Sequence, residues 1–254
     1  LATRTAEQRA AVQAALDELD PGRYHVVLGL KHAEPKIESA VAEVVAAGFD
    51  TIVAAVLAPH DSELSVGEYV NRVRSAAPEG VTVHAVRSWA TLAPFVEFVA
   101  DDLQHRLGVA DGDTRVLFTA HSLPERILAT GDPYPTELRA TAEAVAARLG
   151  LREGTDWELA WQSAGRTPEP WLGPDVTAAI AGLADHGVAT VIVAAVGFVA
   201  DHLEVLYDLD IEARHVAEDA GLRFDRTSCV NADPAVMAGL AELIHAAVES
   251  AGEA

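Results

Sequence analysis

Cysteine occurs once in the 254 residues, as Cys229. One thiol cannot close an intrachain disulfide, nor supply the cysteine sets of structural zinc or iron–sulfur sites. Such a chain suits a reducing cytosol, and a cytoplasmic location is expected. Lysine is almost as scarce, with Lys31 and Lys36 alone. Basic residues number 18 against 39 acidic ones, for a formal net charge of -21. That is the opposite of the basic patch that nucleic acid requires, so no nucleic-acid partner is expected. It suits a cationic substrate. No apolar run reaches the ~20 residues of a membrane helix. A strand-borne GxGxxG and a Walker A segment are both absent, which leaves nucleotide binding unsupported. HExxH and GxSxG are absent too, which argues against a zinc protease and a serine hydrolase.

What is present is a chain that is half apolar, hence globular, and long enough to favour two domains over one. Strand and helix patterns alternate. Strands are expected at 24–30, 51–58, 81–86, 115–120, 158–162, 189–196 and 223–226. Helices are expected at 6–19, 34–47, 65–77, 91–107, 134–149, 175–185 and 234–250. Such alternation indicates parallel sheets flanked by helices, and the 108–113 loop separates two series. The expected fold is therefore α/β in two domains.

The chemistry collects at strand ends. LGLKH ends at His32, LAPH at His60, FTAH at His121 and VGFVADH at His202. The carboxyl ends of parallel strands face the ligand crevice. Any single histidine there is most simply one that hydrogen-bonds a loop; four together suggest a shared site. Histidine beside carboxylates suits binding a divalent metal or accepting a proton. After the 189–196 strand comes GFVADHLEVLYDLDIE, in which Glu204, Asp208 and Glu212 recur every four residues. On a helix they form one drifting stripe of like charge, either a solvated face or a track for a cation. Asp210 is expected to face solvent, while Asp201 and His202 stay open, a cap that orients the helix being one reading. Gly131 to Tyr134 reads as a helix-capping turn. Trp171 either covers a core edge or stacks on a ligand, and Tyr69 is either a helix-face residue or a phenol offered to a site.

LGLKHAEPKIESAV, VLAPHDSELSVGEY, TAHSLPERI, GDPYPTEL, WQSAGRTPEPWLGPDV and VGFVADHLEVLYDLDIE, in this order, resemble ferrochelatases. They are most similar to the soluble coproporphyrin III ferrochelatases of Gram-positive bacteria, and the match spans essentially the whole chain. The resemblance implies two Rossmann-like domains of the class II chelatase type, 1–90 joined by the closing helix 233–254, and 91–232, with the active site in the cleft between them. It implies a lyase-type metal chelatase of haem biosynthesis, inserting Fe²⁺ into coproporphyrin III or protoporphyrin IX. Ferrous iron would be a substrate, with no resident cofactor and no iron–sulfur cluster, and the protein a monomer without an integral membrane segment. His121 and Glu204 would be catalytic and, with Asp208 and Glu212, would handle the metal. Tyr69, Lys31, His32, Ser163 and Trp171 would contact the porphyrin. The family pattern begins with a segment that should precede Leu1, so roughly the first fifth is expected to be missing, including the first strand. A non-catalytic tetrapyrrole-binding protein or fragment, and a chelatase for another divalent metal, are the alternatives.

Overall fold

The computed structural model describes residues 1–252, so the last two residues of the expected 233–254 segment lie outside the described residues. The chain divides into two compact units, Ala90–Val230 (with Leu1) and Ala2–Trp89 with Asn231–Ala254. In chain order the elements are α1 (Ala2–Leu19), α2 (Ile37–Ala46), β1 (Thr51–Ala55), a first π-helix (Glu63–Gly67), α3 (Glu68–Ala76) and β2 (Thr82–Val86). Then come α4 (Ala93–Val109), β3 (Thr114–His121), α5 (Arg126–Ala129), α6 (Tyr134–Leu149), β4 (Trp157–Gln162) and α7 (Val176–Leu183). A 3₁₀ turn (Ala184–His186), β5 (Thr190–Ala194), a second π-helix (Val205–Ala213), α8 (Arg214–Asp219), β6 (Arg223–Arg226) and α9 (Pro234–Gly252) follow.

The unit Ala90–Val230 holds a four-stranded parallel sheet in the order β4-β3-β5-β6. Every residue of β5 (TVIVA) is buried, as expected of a parallel strand covered on both faces. Successive residues of β3 serve opposite faces. Leu117 joins Val191, Val193, Ile180, Leu183 and Val205 in one buried cluster beneath α7 and the second π-helix. Phe118 meets the edge of Trp157, with ring centroids 5.5 Å apart. Helix α7 starts where the sequence suggests, because Asp175 accepts hydrogen bonds from the Thr177 and Ala178 amides.

The helix after β5 departs from the α pattern. Val205, Leu209, Ala213 and Ala217 are all fully buried, a strict four-residue period. In an ideal α-helix each such step overshoots a full turn by ~40°, so three steps would carry the stripe ~120° round the helix. Widening the turn to i→i+5 bonding straightens the stripe, and the chain is a π-helix from Val205 to Ala213.

In the unit Ala2–Trp89 with Asn231–Ala254, β1 and β2 pair in parallel from Thr51↔Thr82 to Ala55↔Val86. Helix α9 packs on α1 and on both strands, and α2 packs on α3. The strand expected at 24–30 does not form. Among the described residues it pairs with no strand, and α1 side chains bond its backbone. The Val26 amide donates to Gln13 Oε1 (2.7 Å), Gln13 Nε2 donates to the Tyr24 carbonyl (3.1 Å) and Arg9 Nη1 to the Val26 carbonyl (3.1 Å). A cavity of about 620 Å³, lined by Val26, Leu28, Ile52 and Ala54 among others, adjoins it. The expected 34–47 helix begins only at Ile37, since Pro35 disfavours helical geometry in the residue before it.

His60 is 1% exposed, and burial pushes its imidazole from an ordinary value of 6.5 down to about 3. Between those values the unfolded chain binds a proton that the folded unit refuses, so this group makes stability fall as pH drops. The urea midpoint should therefore decline on acidification below about 6.5, more steeply for the wild type than for His60→Gln. Equal slopes would remove His60 from the acid response.

Candidate active site

In the order β4-β3-β5-β6, the connection leaving β3 goes to one side and the later ones go to the other. The crevice at the carboxyl ends of β3 and β5 is thus the topological switch point, where ligands bind in open parallel sheets. His121 is the last residue of β3, and Glu204 stands just before the π-helix that follows β5. The exit from β5 crosses β3 at close quarters. The Gly197 amide donates to the Thr119 carbonyl (3.0 Å). A Cβ on Gly197 would lie 2.4 Å from Ala120 Cβ and 2.6 Å from Ala120 Cα.

Two imidazoles converge on one carboxylate oxygen. His121 Nε2 and His202 Nε2 each lie 3.8 Å from Glu204 Oε2. His121 Nδ1 is 2.6 Å from the Ser122 carbonyl, and His202 Nδ1 is 2.9 Å from the Ala200 carbonyl. A carbonyl only accepts, so each Nδ1 carries the proton and donates it. The other ring nitrogen, Nε2, is the one that each imidazole turns towards Glu204. The Phe198 ring tilts against His202 at 5.5 Å between centroids. The three side chains remain partly exposed, at 37% for His121, 22% for His202 and 49% for Glu204.

The groups behind this trio are fixed. The buried Tyr134 hydroxyl donates to the His121 carbonyl (3.0 Å). Burial pushes that phenol well above its ordinary range, so it stays a donor. The Tyr134 amide donates to Asp132 Oδ1 (3.0 Å), the capping role read from the sequence; the reach of its hydroxyl to His121 was not legible there. Ser122 is buried, donating its amide to the Gln162 carbonyl and its hydroxyl to the Leu172 carbonyl, both at 2.7 Å.

Among the residues expected to handle metal, Asp208 takes a hydrogen bond from the Ser163 hydroxyl. Ser163, expected at the porphyrin, follows β4 with φ 58°, a left-handed conformation that non-glycine residues seldom adopt. Strain of this kind collects where the surroundings fix a side chain's aim. Glu212 is exposed one step farther along the stripe. Asp210 does not face solvent as expected. It turns to β6, where Arg226 Nε meets its Oδ1 at 2.7 Å and Nη2 its Oδ2 at 3.0 Å. The sequence could not offer this partner, which lies on a strand 16 positions away. Trp171 is half-buried against Gly165, where a Cβ would lie 2.3 Å from its ring, and its Nε1 donates to Thr167 Oγ1 (2.9 Å). It braces its own loop.

The other expected residues lie in the unit Ala2–Trp89. Lys31 is salt-bridged to Glu68, with its ammonium 5.9 Å from the Tyr69 ring centroid. Arg72 ties the Lys31 carbonyl (3.3 Å) to Glu38. His32 is exposed, and His60 is enclosed in the core. Of the four strand-end histidines, His121 and His202 are thus brought to one carboxylate. Among the described residues, no group of three or more His, Cys, Asp and Glu is arranged to hold a metal ion.

The family model described as Ferrochelatase matches residues 1–248. The chain belongs to the ferrochelatase family. Ferrochelatases are lyase-type metal chelatases, which makes this chain an enzyme of that class. The "Ferrochelatase" of Herpetosiphon aurantiacus is 40% identical over 242 residues, covering 92% of this chain and 78% of that protein. "Coproporphyrin III ferrochelatase 1" of Bacillus cereus strain ZK is 40% identical over 252 residues, covering 96% of this chain and 80% of its own length. "Coproporphyrin III ferrochelatase" of Geobacillus kaustophilus is 39% identical over 252 residues, with 96% and 79% covered. Among solved structures, "SirB from Bacillus subtilis with Fe3+" matches at TM-score 0.57 and 18% identity, covering 98% of this chain and 92% of that one. CbiX, titled "the terminal Enzyme for Biosynthesis of Siroheme in Denitrifying Bacteria", matches at TM-score 0.57 and 16% identity, covering 95% and 93%. At such identities these two show the fold that the ferrochelatase shares with them. No helix among its described residues is long and apolar enough to cross a membrane.

Proposed function

We propose that this ferrochelatase inserts Fe²⁺ into coproporphyrin III, with the trio His121, His202 and Glu204 facing the reacting centre. The carrying observation is that two imidazole Nε2 atoms and one carboxylate oxygen converge at the switch point. Metallation forms four iron–nitrogen bonds and releases two pyrrole N–H protons, so the site must accept protons and guide a cation that is losing its water. Neutral imidazoles and a carboxylate suit both tasks. His121 and His202 each take one pyrrole proton, and Glu204 shares the positive charge so gained. Asp208 and Glu212, four and eight residues farther on, continue the negative stripe along which ferrous iron reaches the trio. Iron is a substrate in this reading and the location is cytoplasmic. Lys31 and Tyr69, with their neighbour His32, make a cation-and-phenol group fit for a propionate.

Coproporphyrin III is preferred because relatives 39–40% identical carry that substrate in their names. The test is anaerobic metallation, followed by loss of porphyrin fluorescence, with coproporphyrin III and protoporphyrin IX as parallel substrates. Faster iron-dependent loss with coproporphyrin III is expected. Faster loss with protoporphyrin IX would reverse the substrate assignment. Porphyrin binding without metallation by any divalent ion would make the chain a tetrapyrrole binder.

A further inference from the structure

The acidic segment after β5 is fastened at both ends by one side chain that the reaction itself does not use. Arg226 ends β6 and is 14% exposed. Its Nε and Nη2 grip both oxygens of Asp210, at 2.7 and 3.0 Å. The same Nη2 reaches back to Asp201 Oδ1 (3.1 Å), while Nη1 donates to the Thr227 carbonyl (2.9 Å). Asp201 and Asp210 bracket residues 202–209, which include His202, Glu204 and Asp208. A bidentate guanidinium–carboxylate pair fixes direction as well as distance. Buried Cys229 stands beside the same group, its thiol pushed up to about 12 by burial and by Asp201.

What needs fastening is the π-helix. Its i→i+5 turns are rare and appear mostly as single-turn bulges, whereas here they run for nine residues. Relaxing to α geometry would wind Glu204 and Asp208 off a common line, by the ~40° per four residues that an α-helix overshoots. The chain uses the same construction once more. In the unit Ala2–Trp89, β1 leads to Asp61 and the first π-helix, then α3 and β2. Arg87, just beyond β2, grips both Asp61 oxygens at 2.8 and 3.0 Å and also bonds Glu63. Each time, an arginine at or just past the end of the next strand returns to two acids, one ahead of a π-helix and one within it.

We propose that Arg226 is a positioning residue: by clamping Asp201 and Asp210 it holds the π-helix so that Glu204 faces His121 and Asp208 faces Ser163. The proposal rests on the metal-inserting reading of that site, and its test separates the two. Arg226→Met removes the clamp, and Arg226→Lys keeps the charge but not the fork. Asp210→Asn weakens the clamp from the other side and serves if Arg226→Met fails to fold. In the full chain, the readouts are amide exchange across residues 203–213, the metal KM, and porphyrin affinity by fluorescence quenching. The expected result is faster exchange at 203–213 and a metal KM raised about 10–100-fold, as for other residues that orient metal ligands. Porphyrin affinity should be retained, and Arg226→Lys should recover thermal stability but not the metal KM. Unchanged exchange overturns the clamp. Faster exchange with an unchanged metal KM overturns the positioning role and leaves only a stabilising one. If the wild type binds coproporphyrin III but inserts neither Fe²⁺ nor Zn²⁺, the functional reading fails, and exchange at 203–213 alone then decides on the clamp.

Discussion

A His121→Ala/Glu204→Gln double variant is expected to metallate porphyrin at least about a hundredfold more slowly than the wild type, the scale of loss when a positioned proton acceptor is removed. The first change deletes the imidazole whose Nε2 is held 3.8 Å from Glu204; the second keeps shape and removes the charge. Both side chains are more than a third exposed, so the fold should tolerate the pair with little loss of stability. The singles should each cost nearly as much as the double, because groups that act as a unit are not additive. Stopped-flow fluorescence with coproporphyrin III and Fe²⁺ under anaerobic conditions measures the rate, and quenching titrations check that porphyrin still binds. Wild-type-like rates in the double variant would sink the assignment of both residues.

Two glycine-to-alanine substitutions should move stability in opposite directions. At Gly197 the new methyl would sit 2.6 Å from Ala120 Cα and 2.4 Å from its Cβ, and neither atom belongs to a flexible side-chain end. The β5 exit must lift off β3, at the typical cost of overpacking, about 1–3 kcal/mol. The displaced segment leads directly into His202 and Glu204, and Ala120 precedes His121, so metallation should fall with stability. At Gly182, on the exposed side of α7, nothing lies within 4 Å of the built Cβ. Alanine there should add up to about 1 kcal/mol through helix propensity. Thermal melts of the two variants read both signs, and an unchanged melting temperature for Gly197→Ala would show that the crossing has slack.

The sequence made visible those features that repeat or run continuously. The apolar run of β5 and the amphipathic α6, closed by left-handed Gly150, lie close to where the residue pattern puts them. The histidine at the end of β3 and the carboxylates after β5 were legible because strand ends are where chemistry collects in parallel sheets. Pairing was less legible. Residues 24–30 have the composition of a strand, but composition does not supply a neighbour, and the segment bonds to Gln13 and Arg9 instead. The π-helix was written in the strict four-residue spacing of Val205, Leu209 and Ala213. A 3.6-residue template absorbs that spacing as ordinary helix. Asp210 and Tyr134 were misjudged or half-read for one reason: each acts on a partner brought close only by the sheet, Arg226 for the first and the His121 carbonyl for the second.

The tethering of both Nδ1 protons to main-chain carbonyls has a consequence for proton traffic. A ring that gains a proton at Nε2 cannot hand one onward through Nδ1, because the oxygen beyond it is an amide carbonyl with no proton to release in turn. Each imidazole is therefore a dead end with a single port, not a wire. Anything taken up at either port must come back out on the same side, where both ports open on the one Glu204 oxygen.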